Sequence, residues 1–323
     1  MCLSCNELLD SPLPKVEFTK VDATAVGARA NANTFVIDDK AYVLLGRLAH
    51  GSANNGTDCW QFDATSNTWT EKAKFPGKPR VGAISEVVDG MAYVGFGFNY
   101  QKEVYDTDTT ILDDFWQYNP NADQWIKRAR FPTHSNNAKP PLNACSSFSY
   151  KQYIYIVGLT NEKQYFNEVW RYDTQADTWN RVKDFPGDNR QGGVACTDGE
   201  KYYFGTGYHT FCRNDWWQYF PESDTWKERK SIPGKGRVNA VAFALKGRYF
   251  VATGRNVGGT LTDDYTHCDI LEYDPVKDKW YKRAEFAGGK VENALAFTLH
   301  SSVYMGFGEN NDFILNQLWK FEP

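Results

Sequence analysis

The sequence predicts an all-β chain folded as a six-bladed β-propeller, closed by pairing of its N-terminal strand with the last blade. Tryptophans recurring in pairs, a constant strand-and-turn pattern around each pair, and an N-terminal segment that completes the last copy carry that prediction. Trp60, Trp116, Trp170 and Trp217 are each followed nine residues later by Trp69, Trp125, Trp179 and Trp226. A fifth copy has Leu271 in the first position and Trp280 in the second, and Trp319 opens a sixth that runs out at Pro323. Of the eleven tryptophans, only Trp216 falls off this grid.

The surrounding residues keep the same register. Two positions after the first tryptophan slot stands an aromatic residue: Phe62, Tyr118, Tyr172, Tyr219, Tyr273 or Phe321. Turn formers such as Asp63 to Asn67 and Asn119 to Asp123 lie between the slots and suit a tight antiparallel connection. Beyond the second slot come Phe75, Phe131, Phe185, Ile232 and Phe286, then Arg80, Arg190 and Arg237. Each unit therefore reads as four short strands, roughly 45–55 residues in all, the size of a propeller blade. A lone blade cannot cover both its faces, so the aromatic slots are expected to pack between neighbours.

The sixth copy lacks a second slot. Phe18 lies eleven residues before Arg29, as Trp69 lies before Arg80, so Phe18 should occupy the outer strand of the last blade, buried beside Trp319. First and last segments would then share one sheet and remove an open edge. The expected organisation is a tail over residues 1–14 and the propeller over residues 15–323.

Composition narrows function mainly by exclusion. Net charge is -4 and 16% of residues are aromatic, so nothing points to nucleic acid. No run approaches the roughly 18–20 apolar residues of a membrane span, and a monomer without cofactor or metal is expected. Cys2 and Cys5 form a lone C-x-x-C without further ligands, and none of the five histidines has metal-site spacing. Asp263, Asp264, His267 and Asp269 could hold calcium, although a solvated acidic loop accounts for them as well. Cys212 and Cys268 fall on adjacent loops, and both thiols are expected to be free.

The repeat resembles the kelch unit over residues 15 to 323, in its tryptophan pair, its turn and its Asp89-Gly90 and Asp198-Gly199 hairpins. The double glycine usual in kelch strands is reduced to its second member, at Gly46, Gly97, Gly207, Gly254 and Gly308, with Leu159 in the third blade. Kelch propellers include enzymes, scaffolds and receptors, so the resemblance implies the fold and leaves function open.

All variation in loop length falls between second and third strands or between blades, and strand alternation puts both sets on one face. Rigid scaffolds usually bind through such loops. Residues following the strand glycines should ring the opening there: Arg47, Asn99, Tyr208, His209, Arg255 and Glu309, with Asn31, Asn239 and Asn293 pointing toward the channel. Arginine forks, amides and phenols suit a glycan, sugar acid or peptide. Mutual pairing of Arg47, Arg255 and Glu309 is the competing expectation. The regular arginines Arg29, Arg80, Arg190 and Arg237 read as structural.

No catalytic motif is present, so a ligand-binding or protein-interaction propeller is the leading expectation. The alternative is a sugar mutarotase resembling the bacterial N-acetylneuraminate epimerase family, also six-bladed kelch propellers, with Glu309, His209, Arg47 and Arg255 available for its chemistry. Leu3-Ser4-Cys5 resembles the end of a lipoprotein signal. The expected location is therefore extracytoplasmic, possible lipid anchorage lying at Cys5, or cytoplasmic if Met1 is native.

Overall fold

The structure, a computed structural model, describes residues 9–11, 14–49, 56–99, 111–132, 144–160, 164–258 and 265–323. Six four-stranded antiparallel sheets stand around a central channel. Their inner strands are Asn33–Ile37, Ile84–Val88, Ser146–Tyr150, Val194–Thr197, Val241–Leu245 and Leu295–Leu299. Small residues on one pleat of these strands line the channel, while Phe35, Phe148, Phe243 and Phe297 on the other pleat enter the seams between blades. No helix occurs among the described residues, and none is long and apolar enough to cross a membrane.

Ring closure follows the repeat arithmetic. Phe18–Val21 pairs antiparallel with Leu318–Phe321, setting Phe18 opposite Phe321 and Lys20 opposite Trp319. Phe18 is half-buried rather than buried, because an outermost strand has a neighbour on one side only. Its ring packs against Phe321 and Phe286, with centroids 4.9 Å and 6.1 Å away. The segment expected to be a tail is partly recruited as well: Leu9–Asp10 lies parallel to the outer strand of blade 5, opposite Tyr281 and Lys282. The Leu3-Ser4-Cys5 segment lies outside the described residues.

The repeated aromatics staple neighbouring blades. Trp125 Nε1 donates to the Ala73 carbonyl at 2.9 Å, while the Ala73 amide donates to Asp123 at 2.9 Å. Trp179 and Asp177 grip Ala129 the same way, and Trp280 and Asp278 grip Lys230. In these three blades the outer turn thus satisfies both backbone groups of a residue leaving the blade before it, which explains why the two slots keep their spacing.

Candidate functional site

On the upper face, where second-to-third loops and blade links emerge, the second strand of most blades ends in two left-handed residues. They are Leu45-Gly46, Phe96-Gly97, Thr206-Gly207, Thr253-Gly254 and Phe307-Gly308. The second position tolerates no side chain. A Cβ on Gly97 would stand 2.3 Å from the Val81 carbonyl oxygen, and one on Gly308 2.6 Å from that of Glu292. The first position has room and must only accept positive φ. Blade 3 inverts the arrangement, with Gly158 at φ +73 followed by Leu159, so the kelch pair there keeps its first glycine.

The next residue in each blade is Arg47, Phe98, Thr160, Tyr208, Arg255 or Glu309; Thr160 is fully buried, and the other five are half-buried or exposed. Five of them pair with a link residue, as Ala30 with Arg47, Val81 with Phe98, Gln191 with Tyr208, Val238 with Arg255 and Glu292 with Glu309. Beneath them runs a belt of backbone hydrogen bonds from blade to blade. Asn31 N donates to Asn293 O at 2.8 Å, Asn293 N to Asn239 O at 3.0 Å, and Asn239 N to Gly192 O at 3.2 Å. All four residues are left-handed, a conformation that asparagine and glycine enter most cheaply.

The opening has two unlike arcs. Across blades 5, 6 and 1, Arg47 pairs with Glu309, whose other oxygen accepts from Asn293 Nδ2 at 2.8 Å. Arg255 pairs not with Glu309 but with Glu292, at 3.5 Å, and Glu292 also accepts from Asn239 Nδ2 at 2.9 Å. Glu292 and Glu309 exchange both main-chain hydrogen bonds, each 2.9 Å, so their side chains stand directly opposite on one ribbon. Both arginine side chains stay substantially exposed, Arg47 at 45% and Arg255 at 38%. Asn31 instead accepts the Gly82 amide at 3.2 Å through Oδ1.

Across blades 2 to 4 the rim is aromatic. Phe98, Asn99, Tyr208 and His209 are half-buried there. The His209 ring lies 4.5 Å from that of Tyr165, centroid to centroid, across the seam of blades 3 and 4. Thr210 turns the hairpin at φ +67 and presents Phe211, half-exposed beneath the Arg213 guanidinium. Cys212 anchors the hairpin on blade 5, its sulfur accepting from Val257 N at 3.3 Å. Cys212 and Cys268 are free thiols.

Sequence reasoning missed Glu292, which recurs in no other blade. It also missed the partners of the buried arginines. Arg29, Arg80, Arg190 and Arg237 are at most 1% exposed. They bind Asp58, Asp114, Asp215 and Asp269, each two residues before a first tryptophan slot. The signal was legible as an acid-x-Trp spacing, continued by Glu168-Val169-Trp170. Asp269 is thereby committed to Arg237, and burial together with the Arg237 charge pushes the His267 pKa down to about 4. Asp263 and Asp264 lie outside the described residues, and no cluster able to hold a metal ion occurs among those described.

These features define a six-bladed kelch-type propeller with a charged and an aromatic arc around one opening. A family model described as N-acetylneuraminate epimerase matches residues 26–178. The N-acetylneuraminate epimerase of Yersinia enterocolitica is 36% identical over 93 residues, 29% of this chain and 22% of that protein. N-acetylneuraminate epimerase 2 of Escherichia coli O6:H1 is 35% identical over 99 residues, 30% of this chain and 24% of that protein. The matched stretches thus span under a quarter of the length of these curated relatives. A solved structure titled "Structure of YjhT" superposes with a TM-score of 0.72 at 16% identity, covering 91% of this chain and 94% of that one. The chain is a six-bladed propeller resembling the N-acetylneuraminate epimerases.

Proposed function

We propose that the upper opening binds a sugar acid and that the protein interconverts its anomers. The observation that carries this reading is the pair of opposed carboxylates, Glu292 and Glu309, each flanked by an exposed arginine. Anomerisation requires proton removal from the anomeric hydroxyl and proton delivery to the ring oxygen, after which the open chain rotates and recloses. Arg47 and Arg255 offer planar forks to the substrate carboxylate. A substrate drawing Arg47 away would free Glu309 to take the hydroxyl proton, with Asn293 holding its second oxygen in place, and the protonated Glu309 would return that proton to the ring oxygen as the ring C–O bond breaks. The names of the relatives support a sugar acid as the substrate class.

The test is proton NMR of anomer exchange in N-acetylneuraminate. Wild type should accelerate exchange, Glu309→Gln should remove at least a hundredfold of the acceleration, on the scale of general-base catalysis, and Arg47→Ala should chiefly raise KM. No acceleration over buffer would refute the reading. A second reading, a propeller that binds a glycan or peptide without turnover, is favoured by the Tyr165, His209 and Phe211 rim. It requires saturable binding that Phe211→Ala weakens.

A further inference from the structure

One side chain on the channel wall breaks the repeat without serving its packing. At the centre of the inner strands, five blades carry Phe35, Phe148, Cys196, Phe243 and Phe297, and blade 2 carries Glu86. The phenylalanines stack on the neighbouring strand: Phe35 on Tyr42 at 4.7 Å, Phe148 on Tyr155 at 5.1 Å and Phe297 on Tyr304 at 5.1 Å. Opposite Glu86 stands Tyr93, which stacks instead on Phe115, at 5.9 Å. The same relocation occurs in blade 4, where Cys196 replaces phenylalanine and Tyr203 stacks on Trp216, the tryptophan off the repeat grid. The seam is therefore filled from the third strand, and packing does not require a carboxylate at position 86.

Glu86 faces oxygen ligands and open space. Ser147 of blade 3 donates to Glu86 Oε1 at 2.7 Å, and the Ser149 hydroxyl also bonds the carboxylate. Two contiguous cavities of about 300 Å³ each, walled also by Thr34 and Ser85, both open onto it. Among the described residues no lysine, arginine or histidine lines either cavity. The other titratable groups around it are uncharged. Burial raises the Tyr93 hydroxyl and the Cys196 thiol above their ordinary ranges, and pushes the Cys145 thiol up to about 12.

We propose that Glu86, with the hydroxyls of Ser147 and Ser149, is the anchor of a monovalent-cation site inside the channel, taking an alkali or ammonium ion. A single carboxylate without a counter-charge balances one positive charge, and hydroxyl oxygens replace part of the ion's water. Protons compete for the site. Burial pushes the Glu86 pKa up to about 7, against 4.5 for an ordinary glutamate. A raised carboxylate pKa favours the folded state while the group is protonated. Without cation, that stability is complete below about pH 4.5 and is lost as pH rises through about 7. A bound cation restores it on the alkaline side.

The experiment is thermal unfolding of the whole protein in sodium, potassium, ammonium or tetramethylammonium chloride at equal ionic strength. At about pH 8.5, at least one small cation should raise Tm by about 3 °C over tetramethylammonium, which is too bulky for the site. The difference should vanish at about pH 5, where the proton holds Glu86, and should be absent from Glu86→Gln at either pH. Glu86→Ala, which leaves no amide oxygen to substitute for the carboxylate, should behave the same way. Equal Tm in all four salts would overturn the proposal, as would a cation shift that survives in both variants.

Discussion

Replacing Asp114 by asparagine should cost more stability than removing Arg80, the residue it holds. Arg80 is 0% exposed and donates to the two Asp114 oxygens at 2.7 Å and 2.9 Å. It also donates to the carbonyls of Phe96 at 3.1 Å and Lys78 at 2.9 Å. A guanidinium cannot shed its proton, so Asp114→Asn leaves a buried, unneutralised charge and should cost about 3–5 kcal/mol. Arg80→Met leaves a carboxylate that is still 18% exposed and still accepts from Trp116 Nε1 at 2.7 Å. Water and the indole compensate it partly, so about 2–3 kcal/mol is expected. The double variant removes both charges and should lose little more than Arg80→Met alone, well short of the additive total of about 5–8 kcal/mol. Blade 6 already carries this uncharged combination, with Val291 and Gln317 in the corresponding positions. Urea unfolding followed by tryptophan fluorescence measures all three variants. Strict additivity, or a smaller loss for Asp114→Asn than for Arg80→Met, would refute the assignment of these arginines as buried ion-pair struts.

Two further outcomes follow from backbone geometry and ring closure. Gly97→Ala should cost about 3 kcal/mol or more in the same unfolding assay, since φ is +80 and its Cβ would stand 2.3 Å from a carbonyl oxygen. Gly90→Ala, at φ +72 with nothing within 4 Å, should cost only about 1 kcal/mol. Phe18→Ala should cost about 2 kcal/mol, less than the roughly 3–5 kcal/mol of a fully buried phenylalanine, because the closing strand is covered on one side. Cleavage by a protease after residues 15–20 should rise in that variant, and an unchanged cleavage rate would separate Phe18 from closure.

The parts of this molecule that the sequence discloses are those the repeat needs six times. The Trp69, Trp125 and Trp179 slots recur because each grips the same backbone position of the preceding blade, and the number of blades follows from them. Gly46, Gly97 and Gly308 recur because a carbonyl of the blade link occupies the space of a side chain. The first kelch glycine could lapse, since Leu45, Phe96 and Phe307 adopt the turn at φ +60, +68 and +54. By the same logic, regularity argues against function: Arg29, Arg80, Arg190 and Arg237 recur, and they are buried struts. Arg47, Arg255 and Glu309 were legible from their place after the strand glycines, and the Arg47–Glu309 pair was among the expectations; the partner of Arg255 was not, because Glu292 has no counterpart in the other links. Glu86 was illegible for a related reason. Its strand reads as any other until the six inner strands are laid in register, and only then does one acid stand among four phenylalanines and a cysteine. In a propeller the period is imposed by packing between blades, and packing tolerates a departure only when another residue fills the seam, as Phe115 does beside Tyr93. A polar departure whose packing has been made good elsewhere is therefore free to be retained for its chemistry, and Glu86 and Glu292 are the positions where that chemistry should be sought.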